Sequence, residues 1–288
     1  MGNERIDMLK DRLTALAGNS PSLAKAAGLY RVLLPQIEEA DLHPASPAIG
    51  RQQALERIAA GVPLLHAALP SFDTSAARGL MIRLARSLEQ EGVPGALSVR
   101  ESLERGLPDL PAMLRRAVSG EDPFEESPAR GPDLKADLLH ALAIHALKPA
   151  LRAWRRELSV HNEECRQWES GNCFVCGTPA AFGELRGNAQ SLYLRCGVCG
   201  ADWPCPRIRC VFCANDDADT LGFLYPDPGF DRTRVVVCER CKGYLKVIVA
   251  YEPTPVELLP VEDLATVDLD LAARERGYVR PTRGVTGA

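Results

Sequence analysis

All ten cysteines of this 288-residue chain fall between Cys165 and Cys241, and eight of them form four C-x-x-C units. The units are Cys173/Cys176, Cys196/Cys199, Cys210/Cys213 and Cys238/Cys241, with 19 residues between the first two and 24 between the last two. Two successive C-x2-C-x(~20)-C-x2-C blocks have the spacing of four-thiolate metal sites. A C-x-x-C turn points two thiolates into one concavity, and a β-hairpin of some twenty residues brings a second such turn opposite. Thiolate repulsion then demands a cation in the middle. A redox dithiol would instead sit at a helix N-terminus beside a βαβ pattern. The eight cysteines are therefore expected to be metal ligands, paired between neighbouring units, with crossed pairing still open. Cys165 and Cys205 stand outside the pattern as spare structural thiols.

The surroundings of the units support this reading. Gly177 and Gly200 follow the first two units, where glycine permits the positive φ of a tight knuckle, and their amides are expected to donate to ligand sulfurs. Short β-prone runs lie between the units: "SLYLRC", "TLGFLYPDPG", "RTRVVVC" and "YLKVIVAY", with a turn at "YPDPGF". Each block is expected to be a small rubredoxin-like or zinc-ribbon-like β-unit clipped by one metal ion. So few apolar residues build no adequate core without it. Iron and zinc both suit four sulfurs. With no open coordination position, Lewis-acid catalysis at these sites is disfavoured.

Residues 1 to about 165 carry 3.6-period apolar patterns and almost no strand signal. Ile6, Leu9, Leu13 and Leu16 share one helical face, and Leu29, Leu33, Leu34 and Ile37 another. Ser20 with Pro21 reads as a helix start, and Pro35 as a kink or an end. Further helices are expected near 47–68, 72–91 and 97–118. A polar connection over 119–133 ends in Asp133, a candidate N-cap for a long helix that Pro149 should kink or divide. His140 and His145 are five residues apart, about 140° around a helix, and so are read as packing or surface residues. Trp154 and Trp168 are read as core.

The fold class expected is α+β in two domains: an all-α N-terminal domain followed by two tandem small β metal-binding units. The boundaries are 1–165 for the helical domain, 166–204 and 205–252 for the two metal units, and 253–288 for a tail with a short helix. A net charge of −4 argues against nonspecific nucleic-acid binding. Between Arg166 and Ala250 ten Lys/Arg face nine Asp/Glu, a balance that gives little counterion-release affinity. The start "MGNERIDMLKDRL" has no apolar h-region, and no run approaches the ~18 residues of a membrane span. A cytoplasmic location is expected, which also argues against disulfides. No nucleophile–base pair or phosphate loop is legible in the helical half, and with no open coordination position at the cysteine sites no enzyme is expected.

At this point the residues resemble the FdhE-type formate dehydrogenase accessory proteins. The resemblance rests on the helical front, the four C-x-x-C units, "CGVCGADW" leading through Arg207 to "CVFC", and "CERCKGYLK". The tail "VEDLATVDLDLAARERGY" is similar to the family's closing helix, and the likeness is clearest from Leu134 to Tyr278. It implies a cytoplasmic maturation factor that acts on the molybdenum-containing catalytic subunit of respiratory formate dehydrogenases. It also implies iron at both sites, carried by Cys173, Cys176, Cys196, Cys199, Cys210, Cys213, Cys238 and Cys241. Zinc is the alternative metal. A zinc-ribbon nucleic-acid or transcription-associated protein, or an electron carrier, is the alternative function.

Overall fold

The computed structural model describes residues 2–65, 69–106, 109–110, 112–114, 136–225 and 232–281. The expected connection over 119–133, its Asp133 cap and the turn over 226–230 lie outside the described residues. The chain forms two compact units, one of residues 1–48 and 65–157, the other of residues 49–64 and 158–288.

The first unit is helical: α1 (Gly2–Asn19), α2 (Ala24–Glu38), then, beyond a helix of the other unit, α4 (Thr74–Gln90), α5 (Ala96–Glu104) and α6 (Ala136–Glu157). The heptad-like faces read from the sequence are the buried ones. Ile6, Leu9 and Leu13 of α1 and Leu34 and Ile37 of α2 are in the core, while Leu16, Leu29 and Leu33 are half-buried. Burying such a side chain contributes about 1.5–3 kcal/mol, so these faces hold the unit together. Asp73 caps α4 by accepting from the Ala76 amide at 2.9 Å. Pro21 opens a short 3-10 turn that runs into α2, and Ser20 makes no side-chain cap there. Pro35 sits within one turn of the end of α2, whereas α6 runs unbroken through Pro149. Trp154 is fully buried, stacks edge-on against Phe72 at 5.9 Å and donates its indole N–H to the Ala45 carbonyl at 2.8 Å.

The second unit includes α3 (Arg51–Ala59), a helix far from the cysteines in sequence. Arg51 donates to the buried Glu164 carboxylate at 2.7 Å, and the Leu64 amide donates to the Phe174 carbonyl at 2.7 Å. These bonds lay the 49–64 segment beside the first C-x-x-C turn. Six strands follow: β1 (Phe182–Arg186), β2 (Ser191–Arg195), β3 (Asp202–Pro204), β4 (Leu221–Leu224), β5 (Thr233–Cys238) and β6 (Tyr244–Ala250). The tail adds α7 (Leu259–Ala265) and α8 (Val267–Glu275), so the expected closing helix is two helices that meet at Thr266.

The strands form two antiparallel meanders, β1–β2–β3 and β4–β5–β6. The pattern of C-x-x-C turn, two strands, C-x-x-C turn and one strand thus occurs twice. The copies are fused into one six-stranded sheet, ordered β3-β2-β1-β6-β5-β4, through a parallel pairing that sets Gly183 beside Val247 and Arg186 beside Ala250. One face of the sheet is covered by the tail. Val235, Val237 and Tyr244 pack on Leu269, Ala273 and Tyr278, and Phe182 and Ile248 pack on Leu259.

Candidate metal centres

The structure gathers the eight predicted cysteines into two groups. Cys173, Cys176, Cys196 and Cys199 form one, and Cys210, Cys213, Cys238 and Cys241 the other, with the sulfurs of each group all within 4.8 Å of one another. The pairing is the sequential one. Cys165 and Cys205 join neither group.

All four turns are built alike. The amide of the leading cysteine donates to the carbonyl five residues on: Cys173 to Thr178 at 2.8 Å, Cys196 to Ala201 at 2.9 Å, Cys210 to Asn215 at 2.7 Å and Cys238 to Gly243 at 3.0 Å. The residue after each C-x-x-C is left-handed: Gly177 at φ +79°, Gly200 at +78°, Ala214 at +56° and Lys242 at +55°. The first site therefore meets the turn's demand with glycine, and the second with residues that carry a Cβ and its strain. The expectation that the glycine amides donate to sulfur is corrected. Gly177 and Gly200 donate instead to the Cys173 and Cys196 carbonyls, at 2.8 and 3.1 Å. It is Val175 and Val198, inside the turns, whose amides point at Cys173 Sγ and Cys196 Sγ, both at 3.4 Å.

The spacing fits a tetrahedral ion. Sulfurs bound at ~2.3 Å to such an ion lie about 3.8 Å apart. The measured separations are 3.5 Å for Cys173–Cys199 and Cys176–Cys196, 3.7 Å for Cys210–Cys241 and 3.8 Å for Cys213–Cys238. Burial pushes the Cys173 and Cys199 thiols well above the ordinary thiol range. Burial opposes ionisation of Cys196 too, but donors converging from the other three thiols and Thr178 hold it well below that range. A closed pocket of four thiols can ionise fully only around a cation, and a bound cation reverses the cost. Any ion held there would be fixed by four soft ligands with no vacant position, giving structural cross-linking or one-electron chemistry rather than hydrolysis.

Two side chains touch these sulfurs that the spacing of cysteines does not announce. Thr178 Oγ1 lies 3.1 Å from Cys176 Sγ and 3.2 Å from Cys196 Sγ, so one hydroxyl serves two ligands of the first site. Asn215 Nδ2 lies 3.6 Å from Cys238 Sγ and donates to Thr220 Oγ1 at 2.7 Å. Each stands two residues after a C-x-x-C, the only signal that could have found them. The sites also differ in exposure. All four cysteines of the first are buried, whereas Cys213 and Cys241 of the second are half-exposed. In the second site burial works against ionisation of Cys238, yet donation from the Cys241 and Arg240 amides and Asn215 brings its thiol down to about 7.

A buried polar network anchors the second site to the tail. Lys246 of β6 is 1% exposed and contacts Asp263 and Asp270, both at 2.7 Å. Tyr244 donates its hydroxyl to Asp270 at 2.8 Å, and Arg280 pairs with Asp263 at 2.9 Å. The fully buried Glu184 of β1 does the same for the first copy, holding Arg195 at 2.9 Å and Arg186, while Arg195 reaches the Thr254 carbonyl at 2.8 Å. His140 and His145 belong to neither cysteine group, and Trp168 is buried with its indole N–H on the Asn172 carbonyl at 2.7 Å.

A helical unit joined to a duplicated knuckle–hairpin–knuckle–strand unit defines a class of protein with paired rubredoxin-like four-cysteine centres. No family model matches the chain. It is 28% identical over 275 residues to an FdhE homolog of Stutzerimonas stutzeri, a match spanning 93% of this chain and 85% of that protein. It is 29% identical over 154 residues to an FdhE homolog of Aquifex aeolicus, spanning 52% and 53% of the two chains, and 27% identical over 203 residues to FdhE of Escherichia coli, spanning 70% and 62%. The crystal structure of the FdhE protein from Pseudomonas aeruginosa superimposes with a TM-score of 0.62 at 24% identity, covering 96% of this chain and 93% of that one, and so shares the fold. The chain is similar to FdhE proteins along nearly its whole length, beyond the Leu134–Tyr278 stretch where the sequence resemblance was clearest. Among the described residues no helix is long and apolar enough to cross a membrane.

Proposed function

We propose that this protein is a non-enzymatic, cytoplasmic accessory factor for the maturation of formate dehydrogenase, docking the enzyme's molybdenum-containing catalytic subunit. The observation that carries the reading is the pair of closed four-cysteine groups on a chain similar to FdhE proteins from end to end. In this reading each group holds one iron ion, with zinc as the alternative, and the ions act first as structural clips. Each ion fixes the pair of knuckles of its own meander, which small β-units of this kind need to stay folded. The half-exposed second site is the better placed of the two for electron exchange with a client. An iron centre of this type changes by one electron with little rearrangement, and exposure shortens the path to it.

The test is anaerobic co-purification from a host that makes formate dehydrogenase, with the eight-cysteine-to-serine variant run in parallel and metal measured in the eluate. Retention of the dehydrogenase catalytic subunit by the native chain and its loss with the variant supports the reading. Recovery of RNA polymerase or ribosomal material instead would replace it with the nucleic-acid alternative. Stoichiometric zinc in air-free protein would remove iron from it.

A further inference from the structure

Strand alternation puts Val236, Val247 and Leu185 on the face of the sheet opposite to Val235, Val237, Tyr244 and Phe182, which meet the tail helices. On that opposite face lies a groove of about 310 Å3, floored by Leu185, Val236 and Val247. Phe223 of β4 and Ile208 stand at its rim, 52% and 71% exposed. Large apolar side chains left open beside a concave apolar floor mark binding surfaces rather than ordinary exteriors.

The charges lining the groove point to what it takes. Arg207 and Arg234 line it and, among the described residues, no carboxylate does, although the chain carries a net charge of −4. Arg186, Arg195 and Arg209 of the same unit are each paired to a carboxylate. Arg234 is not. Its guanidinium lies over the Phe223 ring at 5.2 Å, and its buried Nε has no hydrogen-bond partner among the described residues. A buried donor left unmatched is costly, and an incoming acceptor would recover that cost. Next to this cationic rim runs β4, the terminal strand of the sheet, which pairs only with β5 among the described residues. Its sequence, Leu221–Leu224, has no charge or proline of the kind that usually blocks an open edge.

We propose that the edge of β4 and the Phe223–Arg234 rim of the groove dock an extended segment of a partner protein that presents apolar side chains and a carboxylate on one face. The segment adds as a strand beside β4 with that face over Phe223, and its carboxylate meets the Arg207 and Arg234 side chains of the rim. That the partner is the dehydrogenase subunit rests on the function proposed above; the docking chemistry does not.

The test uses the full metal-loaded chain and a fluorescein-labelled nonapeptide with valine and aspartate at every second position and serine between, so that both face the same side, compared by anisotropy with the same peptide carrying asparagine for aspartate. The aspartate peptide is expected to bind at least about tenfold more tightly, as charge-assisted pairs do. The R207Q/R234Q double variant should erase that preference and F223S should weaken both peptides, with metal content unchanged. Equal binding of the two peptides, a preference that survives R207Q/R234Q, or no binding up to about 1 mM would overturn the proposal. So would an oligonucleotide that outcompetes the aspartate peptide. Because no dehydrogenase is present, peptide binding without recovery of dehydrogenase in the co-purification would sink the accessory reading and leave the groove assignment standing. Dehydrogenase retained undiminished by R207Q/R234Q would remove the client from the groove while sparing the accessory reading.

Discussion

Substitutions at the residue after each C-x-x-C should change stability with opposite signs at the two sites. Gly177 and Gly200 hold φ of +79° and +78° with no Cβ, while Ala214 and Lys242 hold +56° and +55° with one. A Cβ in the left-handed region costs about 1–2 kcal/mol, and glycine's extra freedom in the unfolded chain costs about 0.5–1 kcal/mol. A214G should therefore stabilise by about 0.5–1 kcal/mol, the difference of the two effects. K242G should gain less, because it also removes the Lys242–Glu239 ion pair and the ammonium 5.6 Å from the Tyr278 ring. G177A carries the reverse sign at about 1 kcal/mol or more, since its new Cβ would also sit a tight 3.3 Å from Pro63 Cγ, which would have to give way slightly. G200A should be the worst. Its Cβ would fall 2.1 Å from Val256 Cγ2, adding about 1–3 kcal/mol of overpacking to the backbone strain. Thermal unfolding of the metal-loaded protein, followed by near-ultraviolet circular dichroism, resolves these differences, because 1 kcal/mol moves a unit of this size by about 2–4 °C. If A214G destabilised the protein, or G177A stabilised it, the shared knuckle geometry would not be what sets these positions.

Other consequences can be measured in the same preparations. Replacing the fully buried Lys246 by Met leaves Asp270 and Asp263 without their central cation, and should cost about 3 kcal/mol in urea unfolding. Burial pushes the Asp263 carboxyl up, but the Lys246 ammonium and Arg280 guanidinium more than reverse this and hold it below its ordinary value of 3.8. Its contribution to anchoring the tail is thus complete above that ordinary value and lost as pH falls through the lower folded one. Tail protection in hydrogen exchange should survive to about pH 4 and fail below it, and D263N should remove that acid limb. With a chelator present, Cys213 and Cys241, half-exposed, should be alkylated before any cysteine of the buried first site. Cys165 and Cys205, whose thiols burial pushes up to about 12 and about 11, should stay unmodified at neutral pH, as read by peptide mass spectrometry.

The strands that sequence missed share a physical cause. β1 reads "FGELR", with a glycine and a glutamate where a strand should show alternating bulk. In the fold Gly183 is required, because a Cβ there would lie 2.8 Å from Leu192 Cδ1, and Glu184 is buried against Arg195 and Arg186. Both features depend on residues brought from other strands. β3 is three residues long, too short for any periodicity. α3 is legible as a helix, but its place beside the cysteine-rich part depends on Arg51 meeting Glu164 and Leu64 meeting Phe174.

What the sequence determined alone is what local spacing can encode. A C-x-x-C fixes two sulfurs on one turn, a hairpin-length insert returns a second turn to face it, and a helical period marks a buried stripe; each operates within about thirty residues. Thus the eight cysteines, their sequential grouping and the helical front were all readable in the chain. The parallel pairing of β1 with β6 was not, since its partners, such as Gly183 and Val247, are far apart in sequence and carry no complementary pattern. Nor were the contacts of Thr178 and Asn215 with sulfur, the burial of Lys246 among carboxylates, or the difference in exposure between two sites of identical ligands. These properties arise only when separate segments converge, and there the tertiary structure decided.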